Sequence, residues 1–165
     1  MSLDLRHDPK SAQSKIDADL QFVTFRLDAQ EYALNIAHVV QVVRMVSLTK
    51  PPKAPAYVEG VINLRGAVIP VIDFRRRCGL PAKAHDLNTQ LLIVRAQSHT
   101  LALMVDVVSE VLAISAAHIE SPERVGVAME YLQAVAKLGD RLILIVDPSS
   151  LLGEGALSVA PDTMR

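Results

Sequence analysis

Asp73 and Asp147 are the residues whose type and placement first suggest chemistry, because paired carboxylates can act as general acid and base. Each follows an apolar run and begins a short segment that ends in glycine, DFRRRCG at 73–79 and DPSSLLG at 147–153. An aspartate at a helix start accepts hydrogen bonds from free backbone N–H groups, proline suits the first turn, and glycine suits the end. The pattern favours helix capping over acid–base catalysis for both aspartates.

The other reactive groups show no spacing typical of a catalytic or metal site. The five histidines lie at positions 7, 38, 85, 99 and 118, and the lone Cys78 cannot build a zinc site. The sequence also has no glycine-rich dinucleotide loop, no phosphate-binding loop and no nucleophile elbow. It therefore predicts no metal and no cofactor, and it favours a binding module over an enzyme.

Composition and charge argue against several classes of protein. The net charge is −1 and one cysteine is present, so neither a disulfide framework nor a general attraction to nucleic acid is expected. No charge-free stretch is long enough to span a bilayer, and no secretory pattern is visible, so we expect a cytoplasmic protein without membrane insertion. The basic run of Arg75, Arg76 and Arg77 is interpreted as a solvated helix face, with nucleic-acid binding as the weaker alternative.

The sequence contains an internal repeat. A shift of 69 residues places 22–43 on 91–112, a shift of 74 places 57–74 on 131–148, and each window has five identities. Because both windows occur in the same order, we predict one domain over 21–152 with two similar lobes, about 20–80 and 87–152. The segments 1–20 and 153–165 are expected to be flexible tails. A groove between two lobes is a common place for a binding site.

Short apolar or alternating segments predict a mainly β fold. Strands are expected over 21–27, 60–64, 67–72, 91–95, 100–105, 131–137 and 141–146. Arg65-Gly66 and Gly139-Asp140 are expected to join strand pairs as tight turns. Many short strands around an aliphatic centre favour small barrels, one in each lobe.

The segment 35–45 fits either a helix or a strand. On a helix, Ile36, Val39, Val40 and Val43 would share the inward face, whereas the β-branched content also suits a strand. We expect a helix, with Val42 exposed on its polar half. An exposed valine is usually without consequence, and a contact with a partner is the alternative.

Arg65 is the sharpest candidate for a partner contact. The second copy of the repeat has Gly139 at the equivalent position, so the lobe plan does not require an arginine there. A guanidinium at a hairpin tip offers a rigid fork of donors suited to a carboxylate on a partner. A tolerated arginine in a turn is the alternative.

Five segments together resemble the CheW family of bacterial chemotaxis coupling proteins. They are FVTFRL, EYALNIAHVVQVV, TKPPKAPAYVEGVINLRGAVIPVIDFRRRCGLP, LMVDVVSEVLAI and YLQAVAKLGDRLILIVDPSSLL, which together span about 21–152. The resemblance implies two SH3-like β-barrels of about five strands each around a shared hydrophobic core, with a few short helices. It also implies a non-catalytic cytoplasmic adaptor that is recruited to membrane-associated chemoreceptor arrays.

The resemblance further implies two partners, the regulatory domain of the histidine kinase CheA and the cytoplasmic tip of a chemoreceptor. It implies receptor binding for Val39, Gln41, Val42, Arg65 and Gln90. It implies kinase binding or support of the hairpin turn for Gly60, Asn63 and Gly66.

One position departs from the family pattern. The family commonly has glutamate where this chain has Gln41, although the second copy of the repeat keeps Glu110. This departure leaves a second hypothesis open, a CheW-like scaffold of a divergent chemosensory system, for example one for twitching motility or polar array localisation.

Overall fold

The structure, a computed structural model, describes residues 20–125 and 131–151. Within these ranges the strands are β1 Leu20–Leu27, β2 Gln30–Asn35, β3 Val39–Arg44, β4 Val58–Leu64, β5 Ala67–Asp73, β6 Gln90–Ala96, β7 His99–Val105, β8 Val107–Ile114, β9 Ile119–Glu120, β10 Leu132–Leu138 and β11 Arg141–Val146. One short helix, α1 Phe74–Arg77, and the 3₁₀ turns Ile36–His38, Ala116–His118, Pro122–Val125 and Pro148–Ser150 complete the elements. The expected tails lie outside the described residues, except that Leu20 begins β1. Among the described residues, no helix has the length and apolar character needed to cross a membrane.

The strands form two sheets that each take strands from both copies of the repeat. The first sheet has the order β8-β1-β2-β11-β10-β9, and the second has the order β3-β6-β7-β5-β4. The chain changes sheet between β2 and β3 and again between β7 and β8. The sheets therefore do not coincide with the contiguous segments 20–80 and 87–152. Two parallel pairs, β2 with β11 and β5 with β7, join the two copies at equivalent places.

Each sheet closes into a barrel through the chain that continues from its edge strand. After β3, Thr49 exchanges two backbone hydrogen bonds with Val61 of β4, at 3.1 and 2.7 Å. After β8, the chain turns once and forms β9, which pairs with β10. The predicted fold class, mainly β with two SH3-like lobes, is confirmed, and β9 adds a sixth strand to the first sheet.

Gly60 permits the closure of the second barrel. A Cβ at this position would lie 3.0 Å from the Cβ of Leu48 and 3.0 Å from the carbonyl oxygen of Thr49. Any larger residue must therefore push away the strand extension that seals the barrel.

The predicted shared core is present and is flanked by one core inside each barrel. Side chains of both sheets build the shared core, in which four aromatic rings lie with neighbouring centroids 5.1–5.9 Å apart: Phe25, Tyr32, Phe74 and Tyr131. In β6, Leu92 and Val94 face this shared core, whereas Leu91 and Ile93 face the interior of the second barrel. Burial on both faces explains why this strand is a continuous apolar run.

The predicted helix over 35–45 is wrong, and the strand alternative is correct. Asn35 caps a single 3₁₀ turn by accepting a hydrogen bond from the N–H of Ala37, and β3 begins at Val39. Antiparallel pairing with β6 gives β3 the two-residue alternation of burial that a strand requires. The local spacing of the valines fits both the 3.6-residue period of a helix and the two-residue period of a strand, so the long-range pairing with β6 determines that a strand forms.

Candidate partner-binding surface

The three family-implied receptor residues of β3 lie on an open strand edge. β3 pairs with β6 on one side and is the outermost strand of the second sheet on the other. Val40 is 52% exposed and Val42 is 42% exposed, whereas Val39 and Gln41 are partly buried. An edge strand has backbone groups free to bond and, here, aliphatic side chains in water, which suits contact with another protein. Val40 is part of this edge although the helical pattern had predicted an inward position for it.

Gln90 begins β6 beside this edge, opposite Arg44 of β3. Its side chain is already engaged inside the protein, because Oε1 accepts a hydrogen bond of 2.7 Å from the backbone N–H of Val108. Gln90 is thus close in register to the β3 residues, but its acceptor atom is directed toward β8.

Arg65 lies at the tip of the β4–β5 hairpin, as predicted for a tight turn. Arg65 and Gly66 have φ angles of 54° and 87°, the left-handed pair of a two-residue hairpin turn. The side chain of Asn63 supports the turn by accepting a hydrogen bond of 2.9 Å from the N–H of Gly66. Arg65 is exposed and makes no ion pair within the part of the chain that the structure describes. A left-handed conformation costs a non-glycine residue about 1 kcal/mol, and retained strain of this kind is common at functional sites.

The candidate residues therefore form two groups on the second barrel. Val39, Gln41, Val42 and Gln90 belong to the adjacent strands β3 and β6. Gly60, Asn63, Arg65 and Gly66 belong to the β4–β5 hairpin, whose outer strand β4 meets the chain that extends from β3 at the Thr49–Val61 bridge. The barrel closure thus connects the two groups.

A second aliphatic edge lies on β8 of the first barrel, and the candidate residues expected from the sequence do not include it. Val111 is 58% exposed and Val107 is also exposed. The repeat carried the signal, because the shift of 69 residues places Val42 on Val111 and Gln41 on Glu110. Glu110 accepts a hydrogen bond of 3.2 Å from Arg141.

Arg75 is buried at the junction of the two barrels, so its interpretation as part of a solvated face is wrong. It is 7% exposed. Its guanidinium contacts both carboxylate oxygens of Asp28 at 3.0 and 3.1 Å, Oδ2 of Asp106 at 3.0 Å and the carbonyl oxygen of Pro81 at 3.0 Å. Hydrogen bonding from Arg75 holds the pKa of Asp28 below its usual range.

The other two arginines of the run differ from each other. Arg77 lies over the ring of Tyr57, 4.7 Å from its centroid, and donates to the carbonyl oxygen of Leu151 at 3.0 Å. It is therefore engaged, and the solvated-face interpretation is wrong for it too. Arg76 is exposed, as that interpretation expected, and contacts Asp73 at 3.3 Å.

The structure places Asp73 and Asp147 at helix N-caps. Oδ1 of Asp73 accepts from the N–H of Arg75 at 3.0 Å, and Oδ1 of Asp147 accepts from the N–H of Ser149 at 3.1 Å. Burial acts to raise the pKa of Asp147, but hydrogen bonds from Ser149 and Ser150 outweigh it and lower the pKa. Gly153, the expected end of the second helix, lies outside the described residues. Within the described ranges, no three His, Cys, Asp or Glu side chains are grouped to hold a metal ion.

Comparison with known proteins identifies the family. Residues 21–156 match the family model for the CheW-like domain. The chain is 30% identical over 147 residues to the chemotaxis protein CheW of Klebsiella aerogenes, a match that covers 88% of this chain and 89% of that protein. It is 33% identical over 133 residues to CheW of Rhizobium meliloti, covering 79% and 86%. The crystal structure of the scaffolding protein TtCheW from Thermoanaerobacter tengcongensis resembles it with a TM-score of 0.77 at 34% identity, covering 84% of this chain and 95% of that one. The chain belongs to the CheW-like domain family of chemotaxis scaffold proteins.

Proposed function

We propose that this protein couples chemoreceptors to the histidine kinase CheA by binding both, and that residues 21–152 carry both activities. The observation that carries the proposal is the pair of open aliphatic edges, β3 on one barrel and β8 on the other. A protein that holds two others in a fixed relation needs exposed contact surfaces on a rigid body. Packing of both barrels on one shared core supplies that rigidity.

The receptor contact of this proposal lies on β3 and at Arg65. Val39 and Val42 provide apolar contact, and the backbone of the edge strand offers hydrogen bonds. Arg65 offers its guanidinium to a carboxylate on the receptor tip. The regulatory domain of CheA binds with the support of the β4–β5 hairpin, where Gly60, Asn63 and Gly66 fix the backbone. In a cell the protein acts in the cytoplasm at receptor arrays.

Coupling then follows from linked binding equilibria. If the free energy of the complex depends jointly on the receptor state and the kinase state, receptor and kinase each shift the other's equilibrium by the same coupling free energy. The scaffold contributes by fixing the geometry.

A second candidate, a scaffold of a divergent chemosensory system, is favoured by the lack of an acidic side chain at position 41 of the edge strand β3. Gln41 is neutral, and the carboxylate of the equivalent Glu110 is engaged by Arg141 at 3.2 Å. A receptor that relies on an acidic residue at this position of β3 would lose an ion pair here. This candidate predicts binding to receptors of a non-swimming system and weak binding to receptors of a swimming system.

Binding of the purified protein to a receptor cytoplasmic fragment and to the CheA regulatory domain tests the proposal. Arg65→Glu is expected to weaken receptor binding at least about tenfold, because an attraction becomes a repulsion. Arg95→Glu is the matched control, since Arg95 is also an exposed arginine but lies near the end of β6. Absence of binding to either partner by the wild-type protein would contradict the proposal.

A further inference from the structure

We infer that Gln90 is a positioning residue that holds β8 in place across the junction of the two barrels, and that it is not a direct receptor contact. The inference rests on the proposed function, because its consequence for binding is measured with the receptor. Its structural part can be tested without any partner.

The junction is the point where the chain passes from the second sheet to the first. β7 ends at Val105 in the second sheet, β8 begins at Val107 in the first, and Asp106 alone lies between them. One residue of connection leaves the direction of β8 to be set by side chains and backbone groups around it.

Gln90, which belongs to the second barrel, holds the second residue of β8 in place. Its backbone is paired with Val105 on one side and with Arg44 on the other, so its position is defined by three strands of that barrel. From there Oε1 accepts the 2.7 Å hydrogen bond from the N–H of Val108. Val108 packs against the shared core beside an irregularity in the β1–β8 pairing, where a backbone N–H needs a partner outside the ladder.

Arg75 holds the residue before β8 from a different direction. Its Nη1 donates to Oδ2 of Asp106 at 3.0 Å, and the same oxygen accepts from the N–H of Asp28 at 2.8 Å. The N–H of Asp106 donates to the carbonyl oxygen of Arg26 at 3.2 Å. With Asp106 held in this way and β8 paired with β1, the Gln90–Val108 hydrogen bond is the side-chain contact by which the second barrel holds the start of β8.

The first exposed valine of β8 depends on that contact. Val107 lies next to Val108 at the start of the strand, so a displacement of Val108 moves it directly, whereas Val111 is also held by its pairing with Val23 of β1. Because β3 and β6 stay in the second barrel, the same change alters the distance and angle between the two aliphatic edges. Gln90 thus affects the binding surface through β8, without touching a partner.

Two substitutions separate this role from direct contact. Gln90→Glu keeps an acceptor of the same reach for the N–H of Val108 but removes the amide donor. Gln90→Met keeps the length of the side chain but removes both. If Gln90 positions β8, the glutamate variant is close to wild type and only the methionine variant is impaired.

The first measurement is hydrogen exchange of the Val108 amide by NMR in the free protein. We expect protection in the wild type and in Gln90→Glu, and exchange about two- to tenfold faster in Gln90→Met, as one lost hydrogen bond implies. Equal protection in all three proteins overturns the inference whatever the receptor result. Gln90→Leu, of similar bulk, replaces Gln90→Met if thermal unfolding shows that the methionine variant does not fold.

The second measurement is affinity for a receptor cytoplasmic fragment by calorimetry. We expect Gln90→Met to bind about tenfold more weakly and Gln90→Glu to bind within about twofold of wild type. A glutamate variant as weak as the methionine variant, or a methionine variant as strong as wild type, overturns the inference. Failure of the wild-type protein to bind the receptor contradicts the proposed function, and the exchange measurement then still decides the structural role of Gln90.

Discussion

Replacement of Arg75 by methionine is expected to lower the free energy of unfolding by about 3 kcal/mol. Arg75 donates four hydrogen bonds, to Asp28, Asp106 and the carbonyl oxygen of Pro81. Removal of one partner of a buried ion pair costs about 3–5 kcal/mol, because the other charge is left without compensation. Methionine fills most of the same volume, so the loss reports mainly on the charge and its hydrogen bonds.

The lower end of that range applies for two reasons given by the structure. The Asp28 side chain is largely in water, so the loss of its partner is screened. The Asp106 side chain is only 15% exposed, but it keeps the hydrogen bond from the N–H of Asp28 at 2.8 Å and has Lys83 at 3.7 Å. Asp106 is therefore only partly uncompensated after the substitution.

Urea denaturation followed by circular dichroism measures the effect. In thermal unfolding of a domain of this size, a loss of about 3 kcal/mol corresponds to a decrease in Tm of about 6–12 °C. Arg76→Met is the control, since Arg76 is exposed and its contact with Asp73 contributes less than about 1 kcal/mol. Equal stability of the two variants would refute the assignment of Arg75 as the buried link between the barrels.

Three further predictions concern stability. Arg65→Gly is expected to stabilise the protein by up to about 1 kcal/mol in thermal unfolding, because glycine relieves the left-handed strain, and to weaken receptor binding. A destabilised variant would show that no strain is present. Gly60→Ala is expected to lower the free energy of unfolding in urea by about 1–3 kcal/mol, because the added Cβ would lie 3.0 Å from the Thr49 carbonyl oxygen. An unchanged urea midpoint would mean that the chain around Thr49 moves aside at little cost. Because the pKa of Asp28 is lowered, its carboxylate contributes stability above the usual aspartate range, and this stability is lost as the pH falls through the lowered pKa. Arg75→Met should therefore reduce the loss of stability at acid pH. Parallel stability–pH curves for the two proteins in the acid range would contradict this.

Most central strands can be predicted from the sequence because they are buried on both faces. β6 and β7 are continuous apolar runs, and no helix period competes with them. The sequence predicts a helix at β3 because the valine spacing fits both a helix and a strand, and only the pairing with β6 selects the strand. β8 was overlooked because Ser109 and Glu110 interrupt its apolar pattern.

The arrangement of the strands and the role of Arg75 depend on contacts that are distant in sequence. Asp28 is 47 residues and Asp106 is 31 residues from Arg75, so no local pattern could assign it a buried position. The exchange of strands between the sheets depends on parallel pairs that join the two copies of the repeat, such as β2 with β11. The hairpin tip at Arg65 was predictable because the residues of a two-residue turn determine it locally.

Capture of the CheA regulatory domain on an immobilised receptor fragment shows whether this protein binds both partners at the same time. We expect the kinase domain to be retained only when this protein is added, and we expect Arg65→Glu to abolish retention while Arg95→Glu does not. If the protein binds each partner alone but the kinase domain displaces it from the receptor, the two surfaces overlap and the protein cannot couple receptor to kinase by binding both.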